Sequence, residues 1–191
     1  MKVHLKQKHR ILDDFFKVDR AILQHEKFDG TMSEDIVRLN LLRGEACAAL
    51  LYNPENDTII LVRQFRYPIY TRDENLAWSL EVVAGMIDDD GSPEDAIRRE
   101  IMEETGYQPS SVKSLFYFYP TPGGSNEIIY LFYAEVEEKD QIARGGGAVG
   151  EDENIAVVKL PREKVYDMLH QGEIVDAKTI IALQWFESRK L

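Results

Sequence analysis

Cysteine is almost absent from this sequence: Cys47 is the single one among 191 residues. That excludes an internal disulfide and a cysteine-based zinc site, and the apolar run around Cys47 predicts a small core residue. No stretch of about 18 apolar residues occurs, so no membrane-spanning helix is expected. Met1 to Arg10 is basic, but no apolar segment follows it, so no secretory signal is expected either. A cytoplasmic protein is the simplest reading. Histidine is sparse, and His4, His9, His25 and His170 are scattered. Positive charge is in deficit, with 23 Lys and Arg against 34 Asp and Glu, a net charge of −11. This argues against a nucleic-acid partner, whose phosphate backbone calls for clustered cations. It does not argue against a small anionic substrate, because divalent cations can bridge carboxylates to phosphate oxygens.

What remains is an ordinary globular composition, 44% hydrophobic and 30% charged. Imperfect apolar alternation predicts strands over Phe15–Glu26 and Glu34–Leu42 around a turn at Phe28-Asp-Gly-Thr31. Arg43-Gly44 breaks the pattern. Buried strands follow at Ala46–Tyr52 and Thr58–Phe65, separated by the turn cluster Asn53-Pro-Glu-Asn-Asp57. Trp78–Ala84 reads as one strand, Val112–Tyr119 and Ile128–Glu135 as two more, and Ile155–Leu160 as a short one. Gln141–Glu153, with Gly145-Gly-Gly147, reads as a mobile loop. Pro161 opens a helix through His170, and Asp176 caps a last helix. The fold class is α+β: a mixed sheet with helices on both sides over residues 45–191, preceded by N-terminal antiparallel strands over residues 1–44. Two or three such strands cannot bury their own apolar face in water. They need the main domain or a second chain.

The most informative segment runs from Gly85 to Tyr107. Ser92 suits an N-cap, Pro93 the first helical turn, Asp95 a capping-box acid and Gly106 the C-terminal stop. On the helix between them Glu100, Glu103 and Glu104 are spaced i, i+3, i+4 and share a face. A solvated acidic face is the common fate of such a charge run. The other reading is a hard-oxygen site for Mg2+ or Mn2+, which would relieve the repulsion.

The whole segment resembles the Nudix box, G-x5-E-x7-R-E-U-x-E-E-x-G-U, with Gly85, Arg99, Glu100, Ile101, Glu103, Glu104, Gly106 and Tyr107 in register. One position departs: Gly91 stands where the family usually has its first Glu, which commonly supports the turn and pairs with the box arginine. Asp90 or Glu94 is a candidate replacement. Beyond the box, Phe15–Lys190 resembles the ADP-ribose and nucleotide-sugar pyrophosphatase branch of that family. Gly30-Thr-Met-Ser-Glu-Asp-Ile-Val-Arg38, Val62-Arg-Gln-Phe-Arg66, Pro122 sixteen residues after Gly106, and Ile180–Phe186 carry this likeness. The Gly145-Gly-Gly147 loop and Gly172–Lys178 look equally like the GDP-mannose pyrophosphatases of the branch.

The resemblance implies a Nudix α/β/α sandwich, in a homodimer with exchanged N-terminal strands. It implies Mg2+-dependent cleavage of a nucleotide sugar, with ADP-ribose giving AMP and ribose 5-phosphate. GDP-mannose, giving GMP and mannose 1-phosphate, or another nucleotide sugar is the alternative. A non-catalytic nucleotide-sugar sensor is a further one, and Gly91 is the one feature in its favour. By the same resemblance the metal would be held by Glu100, Glu103, Glu104 and the Ala84 carbonyl, with Arg99 alongside. The general base would be Glu151, or Glu153 in its place. Arg38 and Arg66 suit phosphate oxygens, since guanidinium forks match them. Glu127, after the Gly123-Gly124 turn, would accept hydrogen bonds from a ribose or base, with Gly124 beside it. Phe15 or Phe16 would stack on a purine. In an exchanged dimer Phe15 and Arg38 would serve the partner chain's site.

Overall fold

The computed structural model describes residues 1–88, 91–148 and 154–189, and these divide into two compact units. The first comprises Met1–Gly44 and Tyr119–Ile128, and the second Glu45–Phe118 and Ile129–Leu191. Among the described residues no helix is long and apolar enough to cross a membrane.

The first unit is built on a three-stranded antiparallel meander of β1 (Val3–Asp13), β2 (Lys17–His25) and β3 (Ile36–Leu42). Here the sequence reading is corrected twice. The basic N-terminus is a full strand, and Phe15 and Phe16 form the tip between β1 and β2 instead of opening β2. The sheet has one strongly buried charge, Asp19, held by Arg10 Nε at 2.6 Å and Lys8 Nζ at 3.1 Å. Its apolar side chains are poorly covered: Val3, Leu5, Ile11, Leu12, Val37 and Leu39 are all exposed. The 119–128 segment joins it at Leu41, whose N–H donates to Gly124 O and whose carbonyl accepts from Ser125 Oγ.

The second unit contains a seven-stranded sheet, in which β10 (Ala156–Pro161), β5 (Thr58–Phe65), β4 (Glu45–Asn53), β9 (Ile128–Glu135) and β8 (Lys113–Phe118) are neighbours in that order. Pairings β10–β5, β5–β4 and β8–β9 are antiparallel. Ile128 N–H meets Gly44 O before β4, and Val136 N–H meets Tyr52 O at its end, so β9 runs parallel to β4 and the sheet is mixed. β4 is buried along almost its whole length, as a strand covered on both faces must be. Ala48, Leu50 and Tyr52 face a layer holding Leu183 and Phe186 of α4 (Ala177–Glu187) and Val165 of α3 (Arg162–His170). Cys47, Ala49 and Leu51 face Ile97 and Ile101 of α2 (Pro93–Thr105) on the other side. A short helix, α1 (Tyr67–Tyr70), follows β5.

The expected strand Trp78–Ala84 is in fact two, β6 (Trp78–Glu81) and β7 (Val83–Met86). The cause is a divergence of neighbours. β4 and β5 pair only between Leu51–Asn53 and Thr58–Ile60. Beyond that, β6 pairs β5 through Val62 and Glu81, and β7 pairs β4 through Ala49 and Val83. The chain changes partner at Val82, whose N–H is taken by Thr179 Oγ1 at 2.8 Å.

Candidate active site

β7 delivers the chain to the glutamate helix, and the local signals act as read. Ser92 is the N-cap, its Oγ accepting from Asp95 N–H at 3.1 Å, and Gly106 ends the helix at φ 75°. The inward face of α2 is Ala96, Ile97, Ile101, Glu104 and Thr105. Packing that face on the sheet grades the three glutamates by depth. Glu104 is 2% exposed, the Glu100 side chain 13% and that of Glu103 32%. Glu104 Oε2 accepts from Ala84 N–H at 3.3 Å, and the Glu100 carboxyl lies against Gly85, where any Cβ would overlap it. The box glycine is thus explained by contact: only a bare backbone lets that carboxylate reach the strand.

Arg99 lies across the carboxylates. Its Nη1 is 2.9 Å from Glu100 Oε1 and 3.1 Å from Glu103 Oε2, while Nη2 donates to Met86 O at 3.3 Å. Burial would lower its pKa, but Glu100, Glu103 and Asp88 together raise it. Of the acids weighed as substitutes for the missing box Glu, Glu94 pairs with Arg98 at 3.0 Å, and Asp90 lies outside the described residues. Among the described residues the turn acid nearest Arg99 is Asp88, at 3.8 Å.

Among the described residues no three carboxylate, His or Cys groups converge as a finished metal cage. The donor set nonetheless suits a hard divalent ion. Glu100 and Glu103 already share one cationic nitrogen, and Glu100 and Glu104 lie on the backbone at Gly85 and Ala84. Cys47 lies beside them. Burial, with Glu100 adding to it, pushes its thiol up to about 12.

Arg66 turns out to be committed. It forms a fork on Glu81, Nε to Oε1 at 2.8 Å and Nη2 to Oε2 at 2.7 Å, and this hydrogen bonding raises its pKa. Glu81 also holds Lys178 Nζ, which reaches Asp176 Oδ1 at 2.9 Å, and Asp176 Oδ2 caps α4 through Thr179. The sequence reading missed Glu81, Asp176 in this role, and Lys178. A lone carboxylate in the apolar strand Trp78-Ser-Leu-Glu-Val-Val-Ala84 was the available signal, because buried charge demands partners.

Gly145 and its neighbours correct the expectation of a mobile loop as far as residue 147. The last carbonyls of α2 need donors. Gly146 N–H supplies Glu104 O at 2.9 Å and Gly147 N–H supplies Glu103 O at 3.1 Å. Gln141 Nε2 adds a bond to Thr105 O at 3.2 Å. Gly145 has φ 69°, and a Cβ on it would fall 2.5 Å from Glu104 O. Gly145→Ala is expected to cost about 2–3 kcal/mol of stability, from strain plus overlap. Gly172→Ala, at φ 75° with open space around it, should cost only about 1 kcal/mol. Thermal unfolding of the two variants checks the difference. Equal losses would mean the glycine loop is not seated on α2. Both base candidates, Glu151 and Glu153, lie outside the described residues.

The remaining candidates belong to the first unit. Phe15 is 84% exposed and meets only the edge of Phe16 among ring contacts. Arg38 is exposed, its Nη1 bonded to Val37 O at 2.9 Å. Glu127 pairs with Arg43 at 3.6 Å, and Gly124 accepts from Leu41 N–H at 2.9 Å. Glu127 and Gly124 are therefore brought together around Leu41–Arg43.

Comparison with known proteins fits this geometry. The profile of the NUDIX domain matches residues 42–183. The chain is 46% identical over 143 residues to the GDP-mannose pyrophosphatase of Yersinia enterocolitica serotype O:8, covering 75% of this chain and 73% of that one. It is 35% identical over 185 residues to the GDP-mannose pyrophosphatase of Escherichia coli O139:H28, covering 96% and 88%. A crystal structure of an ADP compounds hydrolase superposes with a TM-score of 0.75 at 20% identity, over 100% of this chain and 97% of that one. At that identity the likeness concerns the fold.

Proposed function

Because the chain belongs to the Nudix family of pyrophosphohydrolases, we propose that it hydrolyses the pyrophosphate bond of a nucleoside diphosphate sugar. GDP-mannose is the first substrate to try, giving GMP and mannose 1-phosphate. The observation that carries the reading is the glutamate helix, with Glu100 and Glu104 held against the Gly85–Ala84 backbone, in a chain that matches a GDP-mannose pyrophosphatase over 96% of its length. ADP-ribose, favoured by residue likeness alone, becomes the second substrate.

In this reading Glu100, Glu103, Glu104 and the Ala84 carbonyl hold Mg2+, with Mn2+ as a substitute. Bound there, the metal neutralises diphosphate charge and lowers the pKa of coordinated water. Arg66 holds a phosphate oxygen with the donors that Glu81 does not engage, and Glu81 fixes the direction of its guanidinium. Glu151, or Glu153, takes the proton of the attacking water. Arg38, Glu127, Gly124 and Phe15 contact the nucleoside and sugar. A second copy of the chain covers the exposed apolar side chains of β1 and β3, making a homodimer. The enzyme works in the cytoplasm.

The test is hydrolysis by the purified protein with Mg2+ against GDP-mannose, ADP-ribose, UDP-glucose, diadenosine polyphosphates and NADH, read as phosphate after a coupling phosphatase. Preference for GDP-mannose is the expected result. Preference for ADP-ribose would keep the chemistry and change the substrate. Silence with both Mg2+ and Mn2+ would favour a binding-only protein.

A further inference from the structure

The face of the sheet that packs on α2 carries two polar side chains without partners, Gln64 and Ser79. Ile60, Val62 and Val83 pack there with Ile97 and Ile101 of α2. Strand residues two apart share a face, so Gln64 and Arg66 of β5 and Ser79 and Glu81 of β6 lie on this side as well. Gln64 pairs with Ser79 in the β5–β6 ladder, and Val62 with Glu81. Arg66 N–H donates to Ala77 O at the end of the ladder, and its guanidinium reaches back to Glu81. The Arg66 side chain therefore runs past the Gln64–Ser79 pair. The Glu81 fork raises the Arg66 pKa against the cost of burial, and Asp176 and Glu104 add to the rise, so this guanidinium lies in the field of the glutamate helix. Ser79 is 3% exposed, and its hydroxyl has no hydrogen-bond partner among the described residues. Gln64 is half-buried between exposed Arg63 and Phe65, and its amide is likewise unpaired among the described residues. Polar groups withdrawn from water are almost always paired. A hydroxyl and an amide set opposite each other, both unpaired, point to a third group that arrives with a ligand.

We propose that Gln64 is a substrate-binding residue, braced by Ser79. Its Nε2 donates to an oxygen of the nucleotide sugar next to the phosphate that Arg66 holds, while its Oε1 accepts from the Ser79 hydroxyl. An amide can do both at once, since it carries two donor hydrogens and an acceptor. The oxygen met is one of the diphosphate or a hydroxyl of the sugar. Ser79 acts only through Gln64, because its hydroxyl is closed off from solvent. Arg66 and Gln64 then divide the work. The guanidinium takes the charge, and the amide fixes how the substrate is turned about that contact. This inference rests on the reading that Arg66 and the glutamate helix bind a nucleotide sugar.

The experiment is steady-state hydrolysis of GDP-mannose with Mg2+ by the purified full-length protein and its variants, with a thermal melt of each. Should ADP-ribose be the preferred substrate, it takes the place of GDP-mannose. Gln64→Met keeps the length and removes the hydrogen-bonding groups. One hydrogen bond is worth about three- to tenfold in an equilibrium, so KM is expected to rise by about that factor, with a smaller change in kcat. The melting temperature should not fall, because no bond within the chain is lost. Ser79→Ala should raise KM by about two- to threefold, again without a fall in melting temperature. Gln64→Glu, of the same shape, puts an anion beside the diphosphate and should raise KM at least as much as Gln64→Met. It decides alone should Gln64→Met not fold. Competitive inhibition by GDP and by mannose 1-phosphate (ADP and ribose 5-phosphate for ADP-ribose) tells which oxygen is met. Weaker inhibition of Gln64→Met by the nucleoside diphosphate assigns a diphosphate oxygen, and weaker inhibition by the sugar phosphate alone assigns a sugar hydroxyl. Unchanged KM in Gln64→Met, or no loss for either inhibitor, overturns the proposal. So does a KM rise that comes only with a lowered melting temperature, which would make Gln64 structural. Unchanged KM in Ser79→Ala overturns the brace. Glu104→Gln separates the two layers of argument. If it keeps wild-type activity, or if wild type hydrolyses no nucleotide sugar, the site reading falls and the inference with it. If Glu104→Gln is inactive while Gln64→Met matches wild type, only the role of Gln64 is wrong.

Discussion

Glu104→Gln is expected to lower kcat on the preferred nucleotide sugar by about 10²–10³-fold, the size of losing one preorganised electrostatic contact to a transition state. It should leave the fold almost untouched. Glu104 is 2% exposed and accepts a hydrogen bond from Ala84 N–H at 3.3 Å. A glutamine amide oxygen can accept the same bond at nearly the same volume, while the negative charge is removed and the other oxygen becomes an NH2 donor. The stability cost should stay near 1 kcal/mol, that of one neutral-for-charged hydrogen bond. Steady-state kinetics over a range of Mg2+, beside a thermal melt, reads both quantities. A variant with wild-type kcat would remove Glu104 from the metal set. A large drop in melting temperature would instead mean that the buried charge is structural. Glu103, with its side chain 32% exposed and shared with Arg99, should give a milder version of the same loss, because in the proposed site water could take its place.

Much of this site could be read from residues in a row. Ser92, Pro93 and Gly106 fixed the ends of α2 because capping is local chemistry, decided within one turn of chain. Thr58–Phe65 and Ile128–Glu135 were read with their observed bounds, since strands buried among neighbours show as dense apolar runs. What the sequence hid was decided by partners far away in the chain. Trp78–Ala84 is continuous as a pattern, yet breaks at Val82 because β4 and β5 diverge and each takes one half. Gly145-Gly-Gly147 has the composition of a hinge, yet its N–H groups satisfy carbonyls at the end of α2. The Val3–Asp13 strand carries mostly charged and polar residues, so its pairing with β2 left only a weak apolar signal. Phe15 and Phe16 misled in the opposite direction, being aromatic residues at a turn tip.

Glu81→Gln is expected to cost about 3–5 kcal/mol at neutral pH, the loss typical of removing one partner from a buried ion pair. Burial alone would raise the Glu81 carboxyl, but the Arg66 fork and the Lys178 ammonium outweigh it and hold the group at about 2, against an ordinary 4.5. A carboxyl depressed in the folded state gives stability that is complete above its unfolded value and lost as pH falls toward the folded one. The window is therefore from about 4.5 down to about 2, and the stabilisation at stake is about 3 kcal/mol. Denaturant unfolding at neutral pH and through that acid window measures it. Wild type should weaken toward low pH more steeply than Glu81→Gln, and the two curves should approach each other near the acid end. Parallel curves would mean that Glu81 does not carry the acid sensitivity. The same variant also bears on catalysis. Without the fork, Arg66 loses its fixed direction, so folded Glu81→Gln should show a raised KM with a smaller change in kcat. Lys178→Met, which leaves the Arg66–Glu81 fork in place, is the comparison that separates the two roles. It should share the loss of stability, since Lys178 links Glu81 to the Asp176 cap of α4, and the part of the KM change that it does not share reports the orientation of Arg66.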